Sequence, residues 1–283
     1  MKWNLRYAPH LGYRPPFLPM FSATVGSADP VDQIGFAADR GFAGVLYAAA
    51  RSRDASEQMR VGEALARHGL EPGCILYTTF DQLRNISWGN DSAEARAWIA
   101  HEMQHAIAAA ERVGARRLAV LGGADPHRPL ALQLGAFVVN LREAADIAGR
   151  HGLTLCLETV SRKRVAGMLL EHITDAYAII KAANHPAVRL IFDTSHVQSM
   201  DGDLLFHLDQ TWDAIEIVQL VDNPGRFEPG SGEINFESVL RKLAGHGYTG
   251  LVELEYDWRT PGLPSEKRGL ETLRRLDAAA FGS

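Results

Sequence analysis

Eight short β-rich runs alternate with stretches of helical periodicity along the 283-residue chain, and several of the helical stretches close on a glycine just before the next run. Together these observations predict a single-domain α/β protein, a (β/α)8 barrel of the TIM type, with a parallel sheet throughout. The candidate strands are Trp3–Ala8, Gly44–Ala48, Gly73–Tyr77, Arg117–Leu121, Thr154–Leu157, Val188–Phe192, Ile215–Leu220 and Leu251–Leu254. Between them, apolar residues recur every three or four positions over 30–40, 56–68, 93–113, 130–150, 173–183, 204–208 and 236–246, which predicts helices there. Asp29 is the expected N-cap of the first helix, with Pro30 at its first position. Gly41, Gly69, Gly114, Gly152 and Gly247 follow the helical segments as terminators. A doubly wound nucleotide-binding sheet would need a glycine fingerprint after its first strand. The chain instead reads His10-Leu11-Gly12-Tyr13-Arg14-Pro15-Pro16. Two long loops, 9–28 and 78–91, are expected at the rim where barrel enzymes place their sites.

Composition narrows the function classes. Apolar residues make up 46% and charged residues 22%, enough for a large core without low-complexity tracts. The net charge is −5 and the basic residues are scattered, so no nucleic-acid partner is expected. Cys74 and Cys156 lie in apolar runs and read as core residues rather than a disulfide scaffold, which points to a reducing, cytoplasmic setting. The N-terminal segment has no apolar signal region, and no run reaches the roughly 18 apolar residues of a membrane span.

The chemistry is expected where polar residues close apolar strands. Leu153–Glu158 ends in Glu158, Leu190–Asp193 in Asp193, Ile215–Gln219 in Gln219 and Leu251–Glu255 in Glu255. A single acid in such a place is ordinarily an ion-pair partner or a helix cap. Four oxygen-bearing side chains on consecutive staves point instead to a shared site at the C-terminal rim. Three carboxylates and one amide oxygen form a hard donor set for one divalent ion, Mg²⁺ or Mn²⁺ with Co²⁺ as a further candidate, and not for a thiolate zinc site. The segment from Val221 to Phe236 is a loop dense in turn formers and charges.

The run VQLVDNPGRFEPGSGEINF, residues 218–236, resembles the characteristic loop of hydroxypyruvate isomerases, members of the xylose-isomerase-like barrel superfamily. FDTSHVQSMDGDL, LCLET and GLVELEY resemble that family's sixth, fifth and eighth strand motifs. The similarity is specific from about Leu153 to Tyr256, general before residue 150, and implies one xylose-isomerase-like barrel over residues 1–283. The resemblance implies metal ligands at Glu158, Asp193, Gln219 and Glu255, with Glu158 and Glu255 doubling as catalytic acid and base. It also implies substrate contacts from His196, Arg226 and Glu228, Arg226 being suited by its planar fork to a carboxylate or hydroxyl partner. Glu253 faces the same side as Glu255, but the family's acid stands five residues past the glycine matched by Gly250. Differences fall at Ile217, where many superfamily members have histidine, at Val45-Leu46-Tyr47-Ala48, at Thr159–Lys163 and in the longer first loop. They bear on the substrate and leave the metal ligands intact.

The implied activity is an intramolecular oxidoreduction of the aldose–ketose type. A small hydroxy-carbonyl or sugar-like substrate of carbohydrate metabolism passes through an enediolate as the two glutamates move its proton. The same donor set also serves a ketose 3-epimerase or a sugar or polyol dehydratase, a lyase recognised by its unsaturated product. DNA repair is disfavoured by the acidic balance, and a non-catalytic sugar-binding barrel by the presence of two acids. Tyr7, Phe17, Tyr47, Tyr77, Phe80 and Trp88 are candidates to wall the pocket, with core packing the alternative for each. The apolar segment from Phe17 to Phe21 is expected either to meet a second copy in a homo-oligomer or to close over the site.

Overall fold

Helix boundaries in the computed structural model, which describes residues 2–282, follow local cap chemistry. The Asp29 carboxylate accepts from the Val31 N–H at 2.8 Å, with Pro30 opening α2 (Pro30–Asp39). Asp54 does the same for Glu57 N–H at the head of α3 (Ala55–His68), and Ser92 for Ala95 N–H at the head of α4 (Ala93–Val113). Gly69 and Gly114 end these last two helices in the left-handed region, with φ of 64° and 78°. A short α1 (Ser22–Val25) precedes them. Further along lie α5 (Leu130–Arg150), α6 (Ile173–Ala183), α7 (Thr194–Met200), α8 (Leu204–Gln210), α9 (Phe236–Gly245) and α10 (Leu263–Phe281).

The strands are β1 (Arg6–Pro9), β2 (Gly44–Val45), β3 (Glu71–Pro72), β4 (Ile75–Leu76), β5 (Arg117–Val120), β6 (Thr154–Glu158), β7 (Val188–Asp193), β8 (Ile215–Leu220) and β9 (Leu251–Leu254). All pair in parallel, in the order β1-β9-β8-β7-β6-β5-β4, with β2 beside β3. Backbone bonds from Leu46 N to Pro9 O (2.9 Å) and from Gly73 N to Val45 O (2.7 Å) join β2 to its neighbours on either side. β3 and β4 are one stave broken at Pro72-Gly73, so the ring closes with eight staves. The sequence reading begins this third stave at Gly73 and the first at Trp3. In the structure the third pairs from Glu71 and the first from Arg6.

The barrel floor and the terminal helix lock the ring. At the N-terminal ends of the staves Arg117 reaches Glu71 at 2.5 Å and Glu216 at 2.8 Å, and Arg6 meets Glu71 at 2.5 Å. On α10 the buried Asp277 carboxylate accepts from Asn4 N–H (2.9 Å), Leu5 N–H (3.1 Å) and the Tyr7 hydroxyl (3.1 Å), fixing the start of β1. The first loop packs on its own barrel. Phe21 is buried against Phe36, Phe42 and Trp258, and the Trp258 indole donates to Met20 O at 2.6 Å, while Leu18 is 59% exposed. Among the described residues no helix is long and apolar enough to cross a membrane.

Removing the Asp277 carboxylate would leave buried donors without acceptors. Asp277→Ala is therefore expected to cost roughly 2–4 kcal/mol, read as a lower urea midpoint with an unchanged slope. An unaltered midpoint would show that the terminal helix does not hold β1.

Candidate active site

Strand register brings the polar strand ends to one rim. Asp193 lies opposite Gln219, and Gln219 opposite Glu253, so these three share a level on β7, β8 and β9. Glu158 closes β6, and Glu255 stands just beyond β9. All five side chains belong to residues no more than 8% exposed. Carboxylates held this far from water need a cation, a proton or strong hydrogen bonds.

Asp193 divides its two oxygens between structure and site. Oδ1 caps α7 by accepting from His196 N–H at 2.7 Å. Oδ2 lies 2.9 Å from Arg226 Nη1, yet the two are not aligned as a hydrogen bond, so the contact is electrostatic and leaves oxygen lone pairs to the site. Arg226 Nη2 donates to Glu255 Oε2 at 2.5 Å. Burial works against the guanidinium's charge, and the Asp193 and Glu255 carboxylates more than restore it.

The two outer acids differ in surroundings. Burial drives Glu158 well above the usual carboxylate range, and the negative charges of Glu255 and Asp193 push the same way. Burial also lifts Glu255, to about 8, against the pull of Arg226. His196 stands beside Glu158, with Nε2 at 3.9 Å from Oε1. Burial first, then the Arg226 charge, lowers the His196 pKa to about 3, so the ring is neutral. Its Nδ1 accepts from the Ser161 N–H at 3.3 Å, which places the proton on Nε2. Glu158, Asp193 and His196 offer atoms within 4.8 Å of one another. In this tautomer, however, the histidine presents a donor, suited to a substrate oxygen rather than to a cation.

Gln219 supplies the test of whether an ion fits. Its Nε2 donates to Glu253 Oε2 at 3.1 Å, which turns the amide oxygen the other way. That Oε1 is buried with no hydrogen-bond partner among the described residues. Glu253 is anchored from across the barrel by Cys74 N–H at 2.7 Å. Gly73 makes room for it, since a Cβ there would come within 2.4 Å of Glu253 Oε1. An orphaned acceptor beside more carboxylates than one guanidinium can neutralise fits a hard divalent cation.

The loop after β8 is a tied structure rather than a loose excursion. Asp222, fully buried, accepts from the N–H groups of Asn223, Gly230, Gly232 and Ile234 at 2.7–3.2 Å. This hub, with Arg226 itself at a φ of 58°, holds the guanidinium over the rim. Glu228 lies on the same loop but turns to Arg259 N–H at 2.8 Å, on the segment after β9. Tyr13 from the first loop donates to Asp257 at 3.1 Å, close enough to Arg226 and Glu255 to feel both charges. The sequence reading gave Asp222 and Tyr13 no role. The Asp-Asn-Pro-Gly run signals a side-chain-stabilised turn at Asp222, whereas nothing in the sequence marks Tyr13 beyond its place in the long loop. Of the proposed wall aromatics, Tyr77 and Trp88 pack with Phe137 in the core, and Tyr7 serves the Asp277 clasp.

Comparison with known proteins places the barrel in a family. The chain is 28% identical over 249 residues to hydroxypyruvate isomerase of Escherichia coli, covering 84% of this chain and 92% of that one. It is 27% identical over 195 residues to 2-oxo-tetronate isomerase of Haemophilus influenzae, covering 68% and 75%. A crystal structure described as AP endonuclease, family 2, from Brucella melitensis superposes with a TM-score of 0.76 at 25% identity, over 93% of this chain and 96% of that one. Residues 34–278 match the family model described as xylose isomerase-like TIM barrel, and the chain belongs to that family.

Proposed function

We propose that this protein is a divalent-metal-dependent isomerase of small hydroxy-carbonyl acids, working as one barrel over residues 1–283 in the cytoplasm. The reading is carried by the unpartnered amide oxygen of Gln219, set among buried acids that outnumber the cationic groups facing them. Glu158, Asp193, Gln219 and Glu255 would hold Mg²⁺ or Mn²⁺. When bound, the ion supplies Lewis-acid polarisation of the substrate carbonyl and its neighbouring hydroxyl.

The chain's own groups do the rest. Glu255, beside Arg226, is the carboxylate placed to take a carbon-bound proton. Glu158, without a cationic partner, is the acid placed to return one to the adjacent carbon. His196 donates from Nε2 to a substrate oxygen as charge gathers there. Arg226 Nη1, without a hydrogen-bond partner among the described residues, is the donor placed for a substrate carboxylate, a group that hydroxypyruvate and 2-oxo-tetronate, named for the relatives, both carry. Glu228 supports the Arg226 loop through Arg259. Two acids working on a single carbon would epimerise it instead.

The test is to strip divalent ions with a chelator, restore Mg²⁺ or Mn²⁺, and screen trioses to hexoses and their 2-oxo acids in heavy water. Deuterium should enter the carbon next to the carbonyl only after readdition. Glu158→Gln and Glu255→Gln should each lower turnover at least about 100-fold. Near-normal turnover in either removes that residue from proton transfer, and an unsaturated product would reassign the protein as a dehydratase.

Glu253 acts through Gln219. Glu253→Leu is expected to weaken Mg²⁺ or Mn²⁺ binding by about 10–100-fold, measured by calorimetry. Unchanged binding would show that the amide needs no anchor.

A pH effect follows for the metal-free protein. Folded Glu255 binds its proton more tightly than the unfolded chain, so its stabilising contribution is complete below the ordinary value of 4.5 and is lost as pH rises through about 8. The urea midpoint of metal-free wild type should therefore fall more between about pH 5 and about pH 9 than that of Glu255→Gln. Equal falls would show that Glu255 is not the titrating group.

A further inference from the structure

The long helix α4 carries the run His101-Glu102-Met103-Gln104-His105 on the outside of the barrel. One turn separates the two histidines, so both rings stand on one face while Met103, Ala106 and Ile107 face the core. Their Nε2 atoms are 3.3 Å apart. Two imidazole nitrogens bound at about 2.0–2.1 Å to one tetrahedral ion lie about 3.3–3.4 Å from each other, by simple trigonometry. The observed pair has that spacing.

The other nitrogen of His101 is also provided for. Its Nδ1 is 3.5 Å from Glu102 Oε1, so an acidic neighbour stands beside the nitrogen that does not face His105. Glu102 cannot swing freely, because its Oε2 accepts from Arg51 at 2.8 Å and from the Thr78 hydroxyl at 3.0 Å. That anchoring separates the run from the hydrolytic use of the same spacing, in which the glutamate serves as general base to a water on the ion. Here the carboxylate is turned to Arg51 and Thr78, and the His101 side chain is 66% exposed.

We propose that His101 and His105 form a second metal site, on the surface of α4, for a late first-row divalent ion such as Zn²⁺, Ni²⁺ or Cu²⁺. Nitrogen donors favour these ions, whereas the oxygen donors of the barrel mouth favour Mg²⁺ or Mn²⁺. The two sites therefore differ in the ion they select. Two ligands from one helix leave the remaining coordination positions to water or to an outside donor.

The experiment uses the full chain without a histidine tag, in excess Mg²⁺ to occupy the mouth, titrated with Cu²⁺ and followed by calorimetry and electron paramagnetic resonance. Wild type should bind one equivalent with nitrogen hyperfine structure from two imidazoles. His101→Ala and His105→Ala should each weaken that equivalent by at least about 10-fold, and the double variant should lose it. Far-ultraviolet dichroism and the thermal midpoint without Cu²⁺ should match wild type, showing that the helix is intact. A double variant that keeps the same stoichiometry and affinity, or a wild type with a single-nitrogen signal, would overturn the site and leave only two hydrogen-bonded rings.

Discussion

The carboxylates at the barrel mouth exceed the positive charge available to them, and much of the surrounding structure follows from that imbalance. At the floor the acids are matched, since Glu71 meets Arg6 and Arg117, and Glu216 meets Arg117. At the mouth Glu158, Asp193 and Glu255 face Arg226, with His196 neutral. A paired acid layer closes one end of a barrel and contributes to stability. An underpaired one held away from water raises pKa values and attracts cations, and it persists because the fold is stabilised elsewhere. The two ends of the same parallel sheet are in this sense built for different purposes.

Positioning at the mouth depends on contacts that cross the barrel. Gly73 breaks the third stave and lets the Glu253 carboxylate reach the Cys74 N–H, and the other oxygen of Glu253 takes the Gln219 amide hydrogen. The orientation of Gln219 is thus set from the opposite wall, as an outer-layer partner sets a metal ligand. Asp222 does comparable work for Arg226 by gathering four loop N–H groups onto one buried carboxylate. Neither Glu253 nor Asp222 is offered as a ligand, yet Glu253 fixes a group that is and Asp222 fixes the cation that faces the acids.

The parts of this arrangement that are local in sequence could be read from it. Asp29 and Pro30 at the start of α2, and Gly69 and Gly114 at the ends of α3 and α4, act within one turn of themselves. The strand-end residues could be recognised because a polar side chain closing an apolar run changes the pattern at one position. What escaped depends on distant partners. Glu71–Pro72 pairs with β2 despite a proline that offers no N–H, and the break after it lies where Gly73 leaves room for the Glu253 carboxylate. The importance of α10 lies in Asp277 reaching back to Asn4, Leu5 and Tyr7, partners 270 to 273 positions away that no local pattern marks. The ion pair from Arg226 to Asp193 joins the loop after β8 to the end of β7, a contact set by strand pairing rather than by local sequence.

Chain order also explains why the two candidate proton carriers differ. Arg226 rises from the loop after β8, and β8 has β7 on one side and β9 on the other. Its fork therefore spans to Asp193 at the end of β7 and to Glu255 beyond β9. Glu158 closes β6, one stave further round, beside a histidine kept neutral by burial, with its Nδ1 occupied by Ser161. In the metal-free protein one cation delivered from one loop thus favours the charged form of the nearer acid over that of the farther one. Carboxyl groups separated in this way are what an acid and a base sharing one substrate require. The asymmetry needs no difference in residue type, only the position of a single arginine in a ring of eight.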